Sequence, residues 1–375
     1  MSPVRIAIAG GGIGGLAAAI ALTRAQFDPT VFEQASQFSR IGSDINLTPN
    51  AVNCLDPLGL GGELRKWAGR PTCRLSRTWN TGEITSRMEM SDAAERRFGA
   101  PQLTLHRADL QRVLENHLDV GRIQLGKRLT EIEEGEAIRL RFVDGSSFDC
   151  DVLIGADGIH STVRKYLFGA DHPKFTGMVC FRAVVPIESL DGIPNIETIS
   201  KWWGPNKHSQ IVHFPISAGR EVFIFATAAQ DDWRDEAWTV SGNPDELRAI
   251  YAAFHPDARA LLDRCTSVVK QAIYDRDPLP TWSKGRITLI GDASHPMLPL
   301  MAQGSAMAIE DAVILSRILR GSSKKDIPYL FKKFESARKS RTDRVQIGSR
   351  ANDWLRSGDD ADWLFGYNAW NASLE

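Results

Sequence analysis

The chain of 375 residues holds only five cysteines, Cys54, Cys73, Cys150, Cys180 and Cys265, an odd number, widely spaced and without a Cys-x-x-Cys pair. That argues against a disulfide framework and a thiolate zinc site, and it fits a reducing compartment. No metal site is expected. No apolar run reaches the ~18 residues of a membrane-spanning helix, so no membrane partner is expected. Neither charge sign dominates: 45 Lys and Arg stand against 46 Asp and Glu, a net charge of −1. A nucleic-acid protein needs surplus Lys and Arg to displace phosphate counterions, so that class is set aside. The opening residues, MSPVRIAIAGGG, do not run from charged to apolar to small residues as a secretory leader does. A cytoplasmic location is the expectation. Internal repeats and low-complexity linkers are absent too.

What remains is an ordinary globular composition, 43% hydrophobic and 24% charged. At about 150 residues per domain, two domains or one two-lobed body is the first expectation. The most informative segment is the N-terminus. Val4 to Ala9 reads as a short strand, Gly10 to Gly15 as a glycine turn, Leu16 to Leu22 as a helix, and Thr30 to Phe32 as a second strand ending at Glu33. Gly10-x-Gly12-x-x-Gly15 fits a dinucleotide fingerprint. Its first glycine permits the tight turn, its second admits a pyrophosphate, and its third lets helix and strand pack closely. Gly14 lies within the same turn. Glu33 and the adjoining Gln34 stand where a carboxylate binds ribose hydroxyls.

The middle of the chain changes character. Met178–Val185, Ser209–Phe214 and Glu221–Thr227 are β-rich runs, read as an antiparallel sheet with one face turned to a pocket. Residues 244–262 read as helical, as do residues from about Ser305 to Leu319 and a tail reaching about Arg350. In that tail Lys332, Lys333, Arg338, Lys339, Arg341 and Arg344 face Glu335 and Asp343, and the expectation is a solvated helix face.

Two further segments choose among dinucleotides. Asp151–Gly155 is an apolar strand ending in Gly155-Ala156-Asp157-Gly158, and Arg286–Ile290 is another ending in Gly291-Asp292. With the glycine fingerprint ahead of them, these segments resemble the single-component flavoprotein aromatic hydroxylases, the family of p-hydroxybenzoate and salicylate hydroxylases. The resemblance implies an α/β fold in which a Rossmann-like FAD-binding domain is interleaved with an antiparallel-sheet substrate domain. The expected division assigns 1–70, 101–177 and 275–320 to FAD, 71–100 and 178–274 to substrate, and 321–375 to a C-terminal helical segment. It also implies FAD as cofactor, NADH or NADPH as reductant with NADH favoured, and O2 as co-substrate. A monomer or homodimer is expected.

Site residues carry over one at a time. The resemblance places Asp157 and Gly158 on flavin and nicotinamide, Asp292 on the ribityl chain, Arg107 on the pyrophosphate, Arg40 near the cofactor, and the backbone of Leu129 on the adenine. The loop Pro299 to Gly304, with Ser305 after it, matches the segment lying against the isoalloxazine ring. A narrower likeness, carried by Lys201-Trp202-Trp203, His208, Ala302–Asp311 and Trp363–Tyr367, is to the 6-hydroxynicotinate 3-monooxygenases. It implies hydroxylation of a small aromatic carboxylate such as a hydroxypyridine carboxylate, with or without loss of the carboxyl group. Two positions depart from that pattern: Asn46 and Leu300 stand where histidines are expected. An amide takes up no proton at neutral pH, and a leucine offers an apolar wall.

His208 is the first choice for moving the substrate's ring-hydroxyl proton, since an unperturbed imidazole titrates at ~6.5. A structural histidine beside the tryptophans is the competing reading. Gln210 is expected on the same strand face, within reach of substrate. Arg182 is read as the carboxylate partner through its planar donors, or as an ion pair inside the domain interface. Asn46 is read as orienting the substrate. A benzenoid, salicylate-type hydroxylase and a flavin reductase or oxidase without oxygen insertion are the alternatives.

Overall fold

A computed structural model describes residues 4–38, 44–233, 239–356 and 360–374. Along the chain the strands are β1 (Arg5–Ala9), β2 (Asp28–Phe32), β3 (Asp44–Leu47), β4 (Cys73–Thr78), β5 (Ile84–Glu89), β6 (Leu103–His106), β7 (Ile123–Gln124), β8 (Leu129–Glu134), β9 (Ile138–Phe142) and β10 (Ser147–Cys150). They continue as β11 (Val152–Gly155), β12 (Lys174–Pro186), β13 (Ile199–Trp203), β14 (Gln210–Ile216), β15 (Glu221–Ala229), β16 (Thr239–Gly242), β17 (Val268–Asp275), β18 (Ser283–Lys284) and β19 (Ile287–Leu289).

The first lobe is built on a sheet of order β18-β19-β11-β1-β2-β7. β1 pairs in parallel with both β2 and β11, and β11 with β19. Parallel neighbours need crossovers, and the Ile13–Arg24 helix supplies the one between β1 and β2. Its sequence, IGGLAAAIALTR, is rich in Ala and Leu and is buried along nearly its whole length. Small residues let the Gly304–Leu319 helix come close: a Cβ on Gly14 or on Gly291 would lie 3.1 or 3.0 Å from the Ala308 side chain. A three-stranded sheet, β10-β9-β8, flanks this lobe.

The second lobe is an eight-stranded sheet of order β16-β17-β12-β15-β14-β13-β4-β5, antiparallel except where β4 meets β13. Its alternation sorts side chains by face. Phe181, Trp202, Ile211 and Ile224 pack on one side against the Pro244–Ile250 and Pro256–Asp263 helices. Those are two helices where the sequence suggested one, because the segment from Tyr251 to His255 turns between them. On the other face, Phe214, Phe223 and Phe225 pack with Leu298 and Leu300 from the first lobe. That shared apolar cluster joins the lobes and surrounds the site.

The C-terminal Ile327–Gly348 helix overturns one expectation. Arg338 is fully buried; its guanidinium donates to Glu310 and Asp311, each at 2.7 Å. Arg341 also donates to Glu310. The basic run is therefore divided: two of its arginines neutralise buried acids of the Gly304–Leu319 helix, and that face is not solvated. Among the described residues no helix is long and apolar enough to cross a membrane.

Candidate active site

Two spaces lie on either side of the loop that precedes the Gly304–Leu319 helix. The first is a groove of about 550 Å³ across the C-terminal ends of β1 and β2. Gly10 has φ +108°, and a Cβ there would lie 2.3 Å from the Ala156 carbonyl oxygen. A Cβ on Gly15 would lie 2.0 Å from the Gly10 carbonyl oxygen. At Gly12 a Cβ would meet no protein atom within 4 Å. The first and third glycines are thus demanded by the protein's own backbone, while the second faces open groove. This is the arrangement a pyrophosphate requires at a helix N-terminus.

Glu33 is held in place by two backbone donors, Gly11 N–H at 2.7 Å and Ala35 N–H at 2.8 Å. Glu33, Gln34, Arg107, Leu129, Asp157, Gly158, Asp292, Gly304 and Ser305 all border the groove, with Gly10, Gly12 and Gly14. Gly15 packs beneath it. Arg40 lies outside the described residues. Asp292 opens onto the groove yet is surrounded by protein on its other sides. This burial holds its carboxyl above the ordinary value, against the pull of His295 and Arg107. Among the described residues no hydrogen bond reaches it, so it is a ready acceptor for a sugar-alcohol hydroxyl. Asp157 is occupied differently: it accepts from the Ser161 hydroxyl and from the Thr162 and Val163 N–H groups, at the start of the Thr162–Phe168 helix that follows it. Burial nevertheless raises its pKa. Sequence reading missed Lys127, Arg128 and His160 on the groove wall. They belong to no motif, and their only signal is positive or titratable character in loops.

The second space is a cavity of about 610 Å³ between the large sheet and the loop before the Gly304–Leu319 helix. Asn46, Arg182, Gln210, Pro299 and Leu300 all line it. Gln210 is buried and its Oε1 has no hydrogen-bond partner among the described residues. Asn46 accepts from Gln102 through Oδ1. Leu300 supplies apolar wall. The loop serves both spaces: residues 299–302 border the cavity, and Gly304 and Ser305 border the groove.

Two sequence expectations are corrected here. His208 does not line the cavity. β14 begins at Gln210, so the strand alternation that paired the two residues does not extend back to His208, which sits in the β13–β14 turn with its N–H donating to Asn206. His213 is no substitute: it lies on the opposite face, and burial pushes its pKa down to about 4. Arg182, read first as a carboxylate partner, has its Nη1 3.5 Å from Asp44 of β3. The interface ion pair is the reading this geometry favours. Besides Arg87 and Arg97, the cavity exposes two more cations that sequence reading overlooked as site residues, Arg74 and Lys201. Only the register of β4 on β13 brings them onto one face.

Known proteins resemble this chain over nearly its whole length. The FAD binding domain family matches residues 3–346. The 6-hydroxynicotinate 3-monooxygenase of Bordetella bronchiseptica is 39% identical over 372 residues, covering 99% of this chain and 97% of that protein. Among solved structures, a salicylate hydroxylase substrate complex aligns with a TM-score of 0.83 at 27% identity, covering 100% of this chain and 96% of the other. Klebsiella pneumoniae HpxO complexed with FAD and uric acid aligns with a TM-score of 0.82 at 27% identity, covering 98% and 93%.

Proposed function

The chain belongs to the FAD binding domain family and is an FAD-dependent aromatic monooxygenase; from that premise we propose that it hydroxylates a small hydroxylated aromatic carboxylate, best a hydroxypyridine carboxylate such as 6-hydroxynicotinate, using NADH and O2. The observation that carries this reading is the shared loop. Residues 299–305 form a wall of the dinucleotide groove on one side and of an aromatic-lined cavity on the other. A ring held in that cavity lies beside whatever the groove presents at the loop.

FAD, when bound, supplies electron transfer from the nicotinamide and activation of dioxygen. The chain does the rest. The glycine turn and the N-terminus of the Gly304–Leu319 helix favour negative charge. Asp292 would accept from the cofactor's sugar-alcohol chain, and Glu33 from its ribose. Gln210 Oε1 accepts from the substrate's ring hydroxyl, drawing electron density onto the ring. Phe214, Phe223, Phe225 and Leu300 exclude water from the reacting carbon.

The test is NADH consumption by the purified yellow protein with 6-hydroxynicotinate and a panel of pyridine and benzene carboxylates, with products weighed by mass spectrometry. Substrate-dependent gain of one oxygen supports the reading, and the mass also shows whether carbon dioxide leaves. NADH loss matched only by hydrogen peroxide with every ring offered points to an oxidase instead. A benzenoid, salicylate-type substrate is the second reading. Asn46 and Leu300 favour it, since a neutral amide and an apolar wall make no demand for a ring nitrogen.

A further inference from the structure

The charges lining the cavity do not cancel. Among the described residues three carboxylates face it, and each has its own cation: Asp44 with Arg182 at 3.5 Å, Glu89 with Arg87 at 2.6 Å, and Asp360 with Arg97 at 3.9 Å. Two cations remain, Arg74 and Lys201. They stand on one face of adjoining strands, where β4 pairs with β13 through Ile199 opposite Arg74 and Lys201 opposite Ser76. Arg74 Nη1 is buried with no hydrogen-bond partner among the described residues. The Lys201 ammonium, on a side chain 8% exposed, rests 3.5 Å from the centre of the Trp203 ring and donates to Asn352 Oδ1 at 2.9 Å. An ammonium has three donors, so Asn352 leaves some of them unused.

We infer that Arg74 and Lys201 together seat the carboxylate of the aromatic substrate, a role the sequence had pointed to Arg182 for. Arg74 offers a planar fork that matches two carboxylate oxygens, and Lys201 adds a point charge beside it. Trp203 stacks under the cation and walls the ring side of the seat. Gln210, opposite Trp203 in the β13–β14 register, then faces the ring's hydroxyl end. The cost of burying two like charges on one face is visible. Burial and the neighbouring Arg74 hold the Lys201 pKa well down, with Asp353 opposing only in part, and burial pushes Arg74 down to about 10. A bound carboxylate relieves both.

This inference rests on the proposed aromatic-carboxylate reading, and the experiment separates the two. Binding of 6-hydroxynicotinate, benzoate and salicylate to the FAD-loaded protein is followed by flavin absorbance and by thermal shift. Each acid is compared with its carboxamide. The wild type, Arg74→Gln and Lys201→Met are measured side by side, with retained flavin and melting temperature checking the fold. The expected result is a roughly 10- to 100-fold weaker affinity for the acids in either variant, the loss of a charge-assisted hydrogen bond, with carboxamide affinity little changed. Equal weakening of acid and amide, or none, overturns the seat. Turnover of a ring acid that ignores both substitutions leaves the hydroxylase reading standing and removes the seat. Acid binding that depends on both residues, without any turnover, keeps the seat and removes the hydroxylase reading.

Discussion

At the scale of single residues, the glycine turn separates demands of fold from demands of ligand. Gly15→Ala drives a Cβ into the Gly10 carbonyl and is expected to abolish soluble, folded protein. Gly12→Ala meets no protein atom. Its melting temperature is expected to stay near the wild type, within about 0.5 kcal/mol of stability, while FAD affinity falls about tenfold or more as the methyl displaces the pyrophosphate. Thermal melts and flavin fluorescence titration check both. Gln210→Leu removes an acceptor that has no partner among the described residues and is proposed to meet the ring hydroxyl. A drop of roughly 10-fold or more in kcat/KM, with unchanged flavin content, is expected in steady-state assays. Lys201 yields a pH prediction. A base whose pKa is held down in the folded state binds its proton more tightly when unfolded, so the stability it contributes rises with pH between the depressed value and its ordinary 10.5. Burial is the main cause, Arg74 and Arg356 push the same way, and Asp353 opposes them. In urea melts without substrate, Lys201→Met is expected to be more stable than wild type at pH 7, by roughly 1 kcal/mol or more, and the gap is expected to narrow toward pH 10. These residues were unequally legible. The glycines and Glu33 carry a spacing rule. Lys201 and Arg74 carry none, and His208 was misplaced because the strand begins only at Gln210, so its alternation does not reach back to the turn that holds His208.

Elements raise a different question, why one helix is held so firmly. The Gly304–Leu319 helix presents its N-terminus to the groove, and its buried Glu310 and Asp311 fix its position. Asn50 donates to both Glu310 and Gln303, linking that charge cluster to the loop at the junction. His295 Nε2 lies 2.6 Å from Asp311. Burial alone would raise the Asp311 carboxyl, but His295 and Arg338 outweigh it and hold the pKa at about 2. The sign follows: a folded value below the ordinary 3.8 gives stability that is present above 3.8 and is lost as pH falls toward 2. Arg338→Met leaves Glu310 and Asp311 short of a cation, and a loss of about 3–5 kcal/mol in urea unfolding is expected. In that variant acid sensitivity is expected to begin at a higher pH than in the wild type, as pH-dependent melts would show. The sequence could not show this. The acids lie 27 and 28 positions ahead of Arg338 on another helix, and a basic run read alone resembles a solvent-facing stripe.

On the scale of the whole molecule, the lobes share one apolar cluster and several polar ties. Thr104 accepts no isolated role: its hydroxyl donates to Pro215 of the large sheet, and Gly69 pairs with Thr104 where a side chain would collide with the Pro215 carbonyl. The cavity and the dinucleotide groove are therefore parts of one packed body. A single unfolding transition is expected, with tryptophan fluorescence, circular dichroism and flavin release coinciding, and with added FAD shifting all three upward together. Separate transitions would show that the sheet lobe melts alone.

The sequence by itself determined the parallel lobe and its dinucleotide turn, because strand, glycine and helix signals there are local and contiguous. It also determined that a β-rich region follows with a pocket-facing surface, since alternation is written into each strand. Tertiary structure alone decided which side chains meet. The β4–β13 register set Arg74 beside Lys201, packing of the lobes set Asp44 beside Arg182, and helix docking buried Arg338 against Glu310. Such pairings join residues far apart in the chain, and their energies come from desolvation and charge in a shared interior that no stretch of sequence contains.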